Sequence, residues 1–458
     1  MIIILLKECL MPIKITLFLS LIFTYTNLHA DYLLKVSKRQ ASKIDNMPKG
    51  IVSDMKSIPQ DPSYYAKQIK PFSLSEQKEL DDVFNQKYFQ PWDIDELDIN
   101  KDDFGWEIRF VRKKPIYKEK GSQIPAFVYE KWIDNANYEN IDTKKYKAIT
   151  VRRTDVKALP TSTAFYRDPK KTGEGFPFDY NQNSALHINV PLYVSHISKD
   201  KRWAFVRASY AFGWVKTKDI ALVDKHFRKA FKNDKYAVAV KDNMRLYDEH
   251  NKSVSIVKLG ALFPIVSGSK KKIKRYLVAQ RNAKGQGVLH KVKLQNKYTL
   301  AKKPLPFNAK NVAIIAKEFY GEPYGWGGSY ECRDCSATTR DFLGVFGIFL
   351  RRNSSKQAKD GNSIPMKRWP KAYKKKFINE NAEPFRSLLY VPGHIVLYLG
   401  QYKGEPVIMH TYWGIRKNDG TKLITGRTII TTTEPGKERA DVREGAKLIN
   451  TLRSIVNF

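Results

Sequence analysis

The stretch Tyr324-Gly-Trp-Gly-Gly-Ser-Tyr-Glu-Cys-Arg-Asp-Cys335-Ser-Ala decides how this chain is read. Gly325, Gly327 and Gly328 allow a sharp backbone turn, and Ser336-Ala-Thr-Thr-Arg-Asp-Phe-Leu reads as a helix facing inward through Phe342 and Leu343. Cys335 is therefore expected at the start of a helix, where the positive end of the dipole favours thiolate over thiol. Only two histidines follow it, His394 and His410. Both lie in alternating, strand-like runs, His394-Ile-Val-Leu-Tyr-Leu-Gly400 and Pro406-Val-Ile-Met-His410-Thr-Tyr, joined by the turn Gln401-Tyr-Lys-Gly404. If Gly400 faces Gly404 in an antiparallel hairpin, His394 faces His410 with Cβ atoms about 5 Å apart. One imidazole then serves as base to the thiol and the other holds it in the right tautomer. A lone cysteine at a helix start is more often a buried structural residue, and the paired histidines are what turn the reading to chemistry.

Other uses of the same residues fit less well. Cys332-Arg-Asp-Cys335 is formally C-x-x-C, but no second cysteine pair exists to complete a zinc site. A dithiol redox site would need a strand running straight into the motif, where this chain has glycines. Gly268-Ser-Lys-Lys lacks the spaced first glycine of a phosphate loop. No metal and no cofactor is expected.

The chain has 458 residues, enough for three or four domains, and 42% hydrophobic residues with 25 Tyr and 24 Phe exclude wholesale disorder. The formal charge of +35 predicts affinity for an anionic partner such as an acidic envelope polymer. The charge is scattered, densest at Lys270–Lys274 and Lys374–Lys376, and no zinc-finger spacing or Arg-rich helix indicates nucleic-acid binding. Lys7 or Lys14, the apolar run Ile15–Thr24 and Leu28-His29-Ala30 read as a cleavable export signal, residues 1–30. An exported protein is expected, periplasmic, envelope-bound or secreted, with no membrane insertion once the signal is removed. Of three cysteines Cys9 lies in that signal, and the remaining two cannot form a disulfide framework.

Along the mature chain, residues 31–60 read as a linker and 61–145 as helical. Ser73-Leu-Ser-Glu76 opens like a capping box, Leu80, Val83 and Phe84 form an apolar stripe, and Trp92, Trp106 and Trp132 are candidates for a small local core. From Tyr146 the pattern becomes short alternating runs separated by turns, which predicts two small β-barrels, 146–226 and 227–303. Pro304-Leu-Pro306 marks a boundary, and amphipathic Asn311–Phe319 opens a final α+β domain, 304–458.

Taken in order, Tyr324-Gly-Trp-Gly-Gly, Asp334-Cys335-Ser336, Phe346–Asn353 with Gln357 and Gly361, Pro392-Gly-His394-Ile-Val-Leu-Tyr-Leu-Gly400 and Ile408-Met-His410 resemble the NlpC/P60 family of papain-like peptidases. Trp203, Tyr210-Ala-Phe-Gly-Trp214-Val and Ile220-Ala resemble the bacterial SH3-like modules that precede that domain in some members, and the helical region resembles their N-terminal stabilising segment. The resemblance implies a multidomain fold: a helical N-terminal segment, two SH3-like β-barrels and a C-terminal papain-like α+β domain. It implies hydrolysis of peptidoglycan stem peptides or muropeptides, between γ-D-glutamate and a diamino acid such as meso-diaminopimelate, by a monomer. Cys335 would be the nucleophile, His394 the general base and His410 the orienting residue. Asp334 and Ser336 would hold the peptide's free N-terminus, the Asp334 carboxylate pairing with an α-ammonium group. Tyr324 would line the cleft and Tyr210 would contribute from the first SH3-like module. The alternatives are an amidase cutting the muramoyl–L-alanine bond and a wall-binding protein without activity. Cys332 stands outside the family pattern and would be free to bond Cys335 in an oxidising compartment.

Overall fold

A computed structural model describes residues 42–99, 103–248, 253–266, 275–293 and 299–458. The expected export signal, the first part of the linker, and both Lys270–Lys274 and Gly268-Ser-Lys-Lys lie outside the described residues. The chain divides into two compact units, Met1–Met47 and Pro48–Phe458, and the second carries everything that follows.

The helical segment begins with α1 (Leu74–Phe89), whose Ser73 hydroxyl accepts the Glu76 N–H at 3.1 Å, and continues through α2 (Trp106–Lys113) and α3 (Ala126–Asn135). The expected stripe on α1 is only partly used. Val83 is 45% exposed, and the face that packs runs through Gln77, Asp81, Phe84 and Tyr88. Its grip is polar: Gln77 Nε2 donates to the carbonyls of Leu305 and Phe346 at 2.7 and 3.0 Å, Asp81 pairs with buried Lys303, and Lys303 lies over the Phe84 ring. The three tryptophans do not build a core of their own. Trp92 donates its indole N–H to Ala148 O at 2.8 Å and packs with Phe227 and Phe231, while Trp132 stacks on Phe165. The segment lacks enough apolar surface to fold on itself and borrows its core from the β modules.

The first β module holds β1 (Tyr146–Thr150), β2 (Thr154–Lys157), β3 (Gln182–Leu186), β4 (Pro191–Ile197), β5 (Trp203–Arg207), β6 (Phe212–Lys216) and β7 (Ile220–Leu222), in the spatial order β3-β2-β6-β5-β4-β1-β7. Ala148, Val156, Leu192, Val194, Val206 and Val215 fill its interior. The next region holds β8 (Tyr236–Ala239), β9 (Met244–Asp248), β10 (Ser253–Val257), β11 (Leu262–Pro264), β12 (Tyr276–Arg281), β13 (Gly287–Lys293) and β14 (Leu300–Lys302). Among the described residues these form two sheets, β10-β9-β13-β12 and β11-β8-β14.

The C-terminal domain packs α4 (Ala309–Phe319) and α5 (Cys335–Val345) on a sheet of β15 (Asn362–Pro365), β16 (Ser387–Val391), β17 (His394–Tyr402), β18 (Glu405–Arg416), β19 (Lys422–Thr432) and β20 (Ser454–Asn457), ordered β15-β20-β16-β17-β18-β19. Phe342, Leu343 and Phe346 at the inner face of α5 share one core with Ile395, Leu397 and Met409. Buried hydroxyls add direction. Thr338 on α5 meets Thr411 on β18 at 2.5 Å, and Thr411 meets Thr428 on β19 at 2.7 Å.

Residues 48–60 are not a linker. Val52 packs with Ile415 and Val442, and the buried Asp54 carboxylate accepts from both the N–H and the hydroxyl of Thr432 at 2.8 Å. Their polar composition hid this, because the contact is made by a carboxylate rather than by an apolar stripe.

Candidate active site

The site is assembled where α5 begins. Asp334 is the N-cap, its carboxylate accepting the Ala337 N–H at 2.9 Å and the Gly327 N–H at 3.0 Å. Cys335 is thereby fixed as the first helical residue. Gly327 has φ +58°, and a Cβ there would collide with the Gln182 carbonyl of β3, so glycine is required twice over. The first β module clasps the loop: Gln182 Nε2 donates to Gly327 O at 3.1 Å, Trp326 Nε1 to Asp179 O at 3.0 Å, and Arg153 to Gly328 O.

Cys335 is 8% exposed. Burial pushes the thiol up to about 12, the Asp334 carboxylate adds to the rise, and the Ile395 amide and Arg352 offset only part of it. The expected stabilisation of thiolate by the helix dipole is therefore outweighed, since desolvation and an adjacent carboxylate both oppose negative charge on sulfur. Burial thus favours the neutral thiol at Cys335.

The histidines meet, but not as direct cross-strand partners. The β17–β18 turn is Lys403-Gly404, with Tyr402 opposite Glu405, and the register shifts between Tyr398 and Gly400. Leu397 faces Met409, so the pairing continued toward the site sets Val396, not His394, opposite His410. The position of the turn displaces the pairing relative to the expected hairpin, the bulge takes one residue of that displacement back, and the two rings are left as diagonal neighbours on one face. His394 Nε2 and His410 Nδ1 are 3.0 Å apart, and Tyr412 stacks on both rings at 4.9 and 4.7 Å.

The hydrogen bonds fix the tautomers. Thr431 Oγ1 donates its one proton to Thr432 O at 2.8 Å and lies 3.2 Å from His410 Nε2. With the shorter bond going to Thr432 O, the hydroxyl is placed to accept from His410, the arrangement in which His410 carries its proton on Nε2 and presents a bare Nδ1. His394 in turn donates from Nε2, which leaves its Nδ1 lone pair as the basic atom. Burial presses both rings toward neutrality, His394 down to about 3 and His410 well below its ordinary value.

Asp334 does not offer a free carboxylate. Arg352 grips both its oxygens, Nη1 to Oδ1 at 3.0 Å and Nη2 to Oδ2 at 2.6 Å, and donates to Ser336 Oγ at 2.7 Å. Burial works to raise the Asp334 pKa, and the guanidinium overrides it and holds the carboxyl below its usual range. The carboxylate expected to meet an α-ammonium group is thus already paired with Arg352. Tyr324 is buried beside Cys335 and Asp334, covered by Phe178 and Trp413 at ring distances of 6.3 and 5.6 Å. Tyr210 lies under Arg340 of α5, 4.1 Å from guanidinium carbon to ring centroid, and so touches the nucleophile's helix rather than the nucleophile. Cys332 and Cys335 are free thiols, with Cys332 Sγ turned to Tyr330 O at 3.4 Å.

Three supporting residues were not singled out in the sequence. Arg352 neutralises the N-cap and Thr431 sets the proton relay. Arg333, two residues before the nucleophile, binds Asp341 at 2.7 Å, Glu322 at 2.9 Å and Asp242 of the second β region at 2.7 Å. None has a local signal, because each acts on a partner distant in sequence. Among the described residues no cluster of His, Cys, Asp or Glu is arranged to hold a metal ion, and no helix is long and apolar enough to cross a membrane.

A thiol at a helix start with an imidazole pair on the adjoining sheet is the set of groups that cysteine hydrolysis uses. Comparison with known families gives three matches: the NlpC/P60 family over residues 321–419, the N-terminal NlpC/P60 stabilising domain over 26–140, and an SH3 domain of SH3b1 type over 164–216. The C-terminal domain thus carries an NlpC/P60 family match and the N-terminal segment a match to the stabilising domain of that family. The SH3 match falls on the first β module alone. No curated protein matches the chain. Among solved structures, an NlpC/P60 endopeptidase from Photobacterium damselae subsp. piscicida is 23% identical, with 90% of this chain and 98% of that one covered at a TM-score of 0.76. An NlpC/P60 family protein from Bacillus cereus is 16% identical, covering 68% of this chain and 99% of that one at a TM-score of 0.46.

Proposed function

We propose that the chain is an exported γ-D-glutamyl–diamino acid endopeptidase that cuts peptidoglycan stem peptides with a Cys335–His394–His410 triad. The observation that carries this reading is the hydrogen-bond relay from Thr431 through His410, which leaves the basic lone pair of His394 on Nδ1. It acts as a monomer in the periplasm, at the envelope or outside the cell. The second β region, with its two small sheets, serves as a second SH3-like module, and the excess positive charge holds the protein to an anionic wall.

The starting pair is neutral thiol and neutral imidazole, so ionisation accompanies attack. As the Cys335 sulfur adds to the carbonyl carbon of the γ-D-glutamyl amide, His394 Nδ1 takes the thiol proton. The imidazolium is held by its Nε2–H bond to His410. The oxyanion forms at the start of α5, where the Cys335 N–H and the helix dipole favour negative charge. Collapse expels the diamino acid's amine, which leaves with the proton from His394. Water, deprotonated by the same nitrogen, then hydrolyses the thioester and releases the glutamyl carboxylate and the thiol.

The test is incubation of the purified protein with defined stem tri- and tetrapeptides, followed by product masses. Cleavage between γ-D-glutamate and the diamino acid, absent in Cys335→Ala, is expected. Release of the intact stem peptide from muramic acid would make it an amidase, and no cleavage of either bond would leave a wall-binding protein.

A further inference from the structure

When the thiol passes its proton to His394, a positive charge forms on an imidazole whose hydrogen-bond partner is a second, neutral imidazole. Among the described residues neither ring hydrogen-bonds a carboxylate. The other hydrogen-bond partner of the pair is the Thr431 hydroxyl on β19. The anion that acts on His394 from α5 is Asp334, and Arg352 already grips both its oxygens. A buried charge so poorly matched is unfavourable unless something else faces it.

What faces it is an aromatic ring. Tyr412 follows His410 by two residues on β18, so strand alternation sets both on one face. Its centroid lies 4.9 Å from that of His394 and 4.7 Å from that of His410, with planes tilted by 29° and 23°. The imidazoles are tilted by 51° to each other, so the phenol plane lies between theirs and one ring covers both halves of the hydrogen-bonded pair. The ring is packed against two apolar clusters, one holding Val396 and Ile408, the other Ile415 and Val442. Among the described residues its hydroxyl has no hydrogen-bond partner, and burial raises its pKa, so it stays a neutral phenol. Tyr412 therefore offers the pair its face and not its oxygen. That face is the negative end of the aromatic quadrupole, and it attracts a cation most strongly where water is excluded.

We propose that Tyr412 is a positioning residue of the reaction: its ring holds the two imidazoles in their hydrogen-bonded orientation, and its π face offsets the charge that forms on them as His394 takes the thiol proton. This role deepens the peptidase reading and rests on it for the substrate.

Ring face and ring bulk are separated by three variants of the full chain: Tyr412→Phe, Tyr412→Leu, and pentafluorophenylalanine in place of Tyr412, which keeps the ring's outline and reverses its quadrupole. Two rates are read. One is turnover of L-alanyl-γ-D-glutamyl-diaminopimelate. The other is alkylation of Cys335 by iodoacetamide, located by peptide mass, which needs no peptide and only that the thiol give up its proton. Tyr412→Leu should lower kcat and the alkylation rate by about 10-fold each, with KM within about twofold, the scale of a desolvated cation–π contact. Tyr412→Phe should hold both rates within about threefold of the parent, and the fluorinated ring should fall with Tyr412→Leu. Equal rates for Tyr412→Phe and the fluorinated ring overturn the proposal, because bulk alone would then matter. Equal losses in Tyr412→Phe and Tyr412→Leu overturn it in favour of the hydroxyl, and a raised KM with unchanged kcat overturns it in favour of a substrate contact. Should Tyr412→Leu fail to fold, the two aromatic variants decide alone. If the parent cleaves no stem peptide, the peptidase reading falls on its own, and the alkylation rates still decide the role of Tyr412.

Discussion

The two halves of the active site are held by opposite means. The histidine half is neutral and local: His394, His410, Tyr412 and Thr431 all lie on β17, β18 and β19, and their rings are kept uncharged by burial. The nucleophile half is charged and remote. Asp334 is neutralised by Arg352, which also donates to Ser184 of the first β module, while Arg333 is fixed by Asp242 of the second β region. The imidazole pair is thus held within one sheet, whereas the start of α5 is held by residues of both β regions.

The largest expected effect breaks both halves equally. Cys335→Ala should lower kcat/KM by about 10⁴-fold or more while leaving the melting temperature near its starting value. The next separates them. Arg352→Met strands the Asp334 carboxylate in a buried site and should destabilise the protein by about 3–5 kcal/mol, read by denaturant unfolding. A loss under about 1 kcal/mol would show that the nucleophile half does not need its charge pairing.

On the histidine side the expected cost falls on rate. His410→Ala should reduce kcat by roughly 100-fold with little change in stability, and His410→Gln should recover part of it by again accepting from His394 Nε2. Acid should tell the halves apart as well. A histidine whose folded pKa is depressed gains its proton first in the unfolded chain, so stability is full above about 6.5 and declines below it. For His394 that decline continues to about 3. Each such ring contributes a loss of at most about 1.4 kcal/mol per pH unit. Asp334, with its pKa lowered, keeps its contribution until the pH falls below the ordinary value of 3.8. Thermal melts between pH 7 and pH 4 carry this decline together with those of His196, down to about 4, and His187, against the opposite slope of raised carboxylates such as Glu107 and Asp179. The His410→Ala variant read beside the parent therefore isolates the histidine half. The smallest effect is expected at Thr431→Val, about fivefold in kcat, the worth of one buried hydrogen bond.

The same contrast explains what could be read in the sequence. Cys335 at a glycine-to-helix junction and two histidines on successive short strands are local signals, and both survive in three dimensions. The hairpin register was misjudged because the chain turns at Lys403-Gly404 and shifts register near Leu399, which no alternation of apolar residues announces. The thiolate expectation considered the helix dipole but not the burial that outweighs it. Arg352, Arg333 and Asp54 were illegible for a common reason. Their partners lie 18, 91 and 378 residues away, and a charge carries no periodicity that would point to a distant counter-charge.

Asp54 has a practical consequence of its own. It seals the end of β19, next to the threonine that anchors the relay, although the ribosome makes it long before that strand exists. A fragment beginning at the C-terminal domain would lack this contact. An expression clone starting near residue 304 would lack the carboxylate that ties down Thr432, and with it the Gln77 and Asp81 contacts that hold the domain's entry. Whoever trims this protein to its hydrolytic portion should retain the leading segment from Pro48 or supply it in trans.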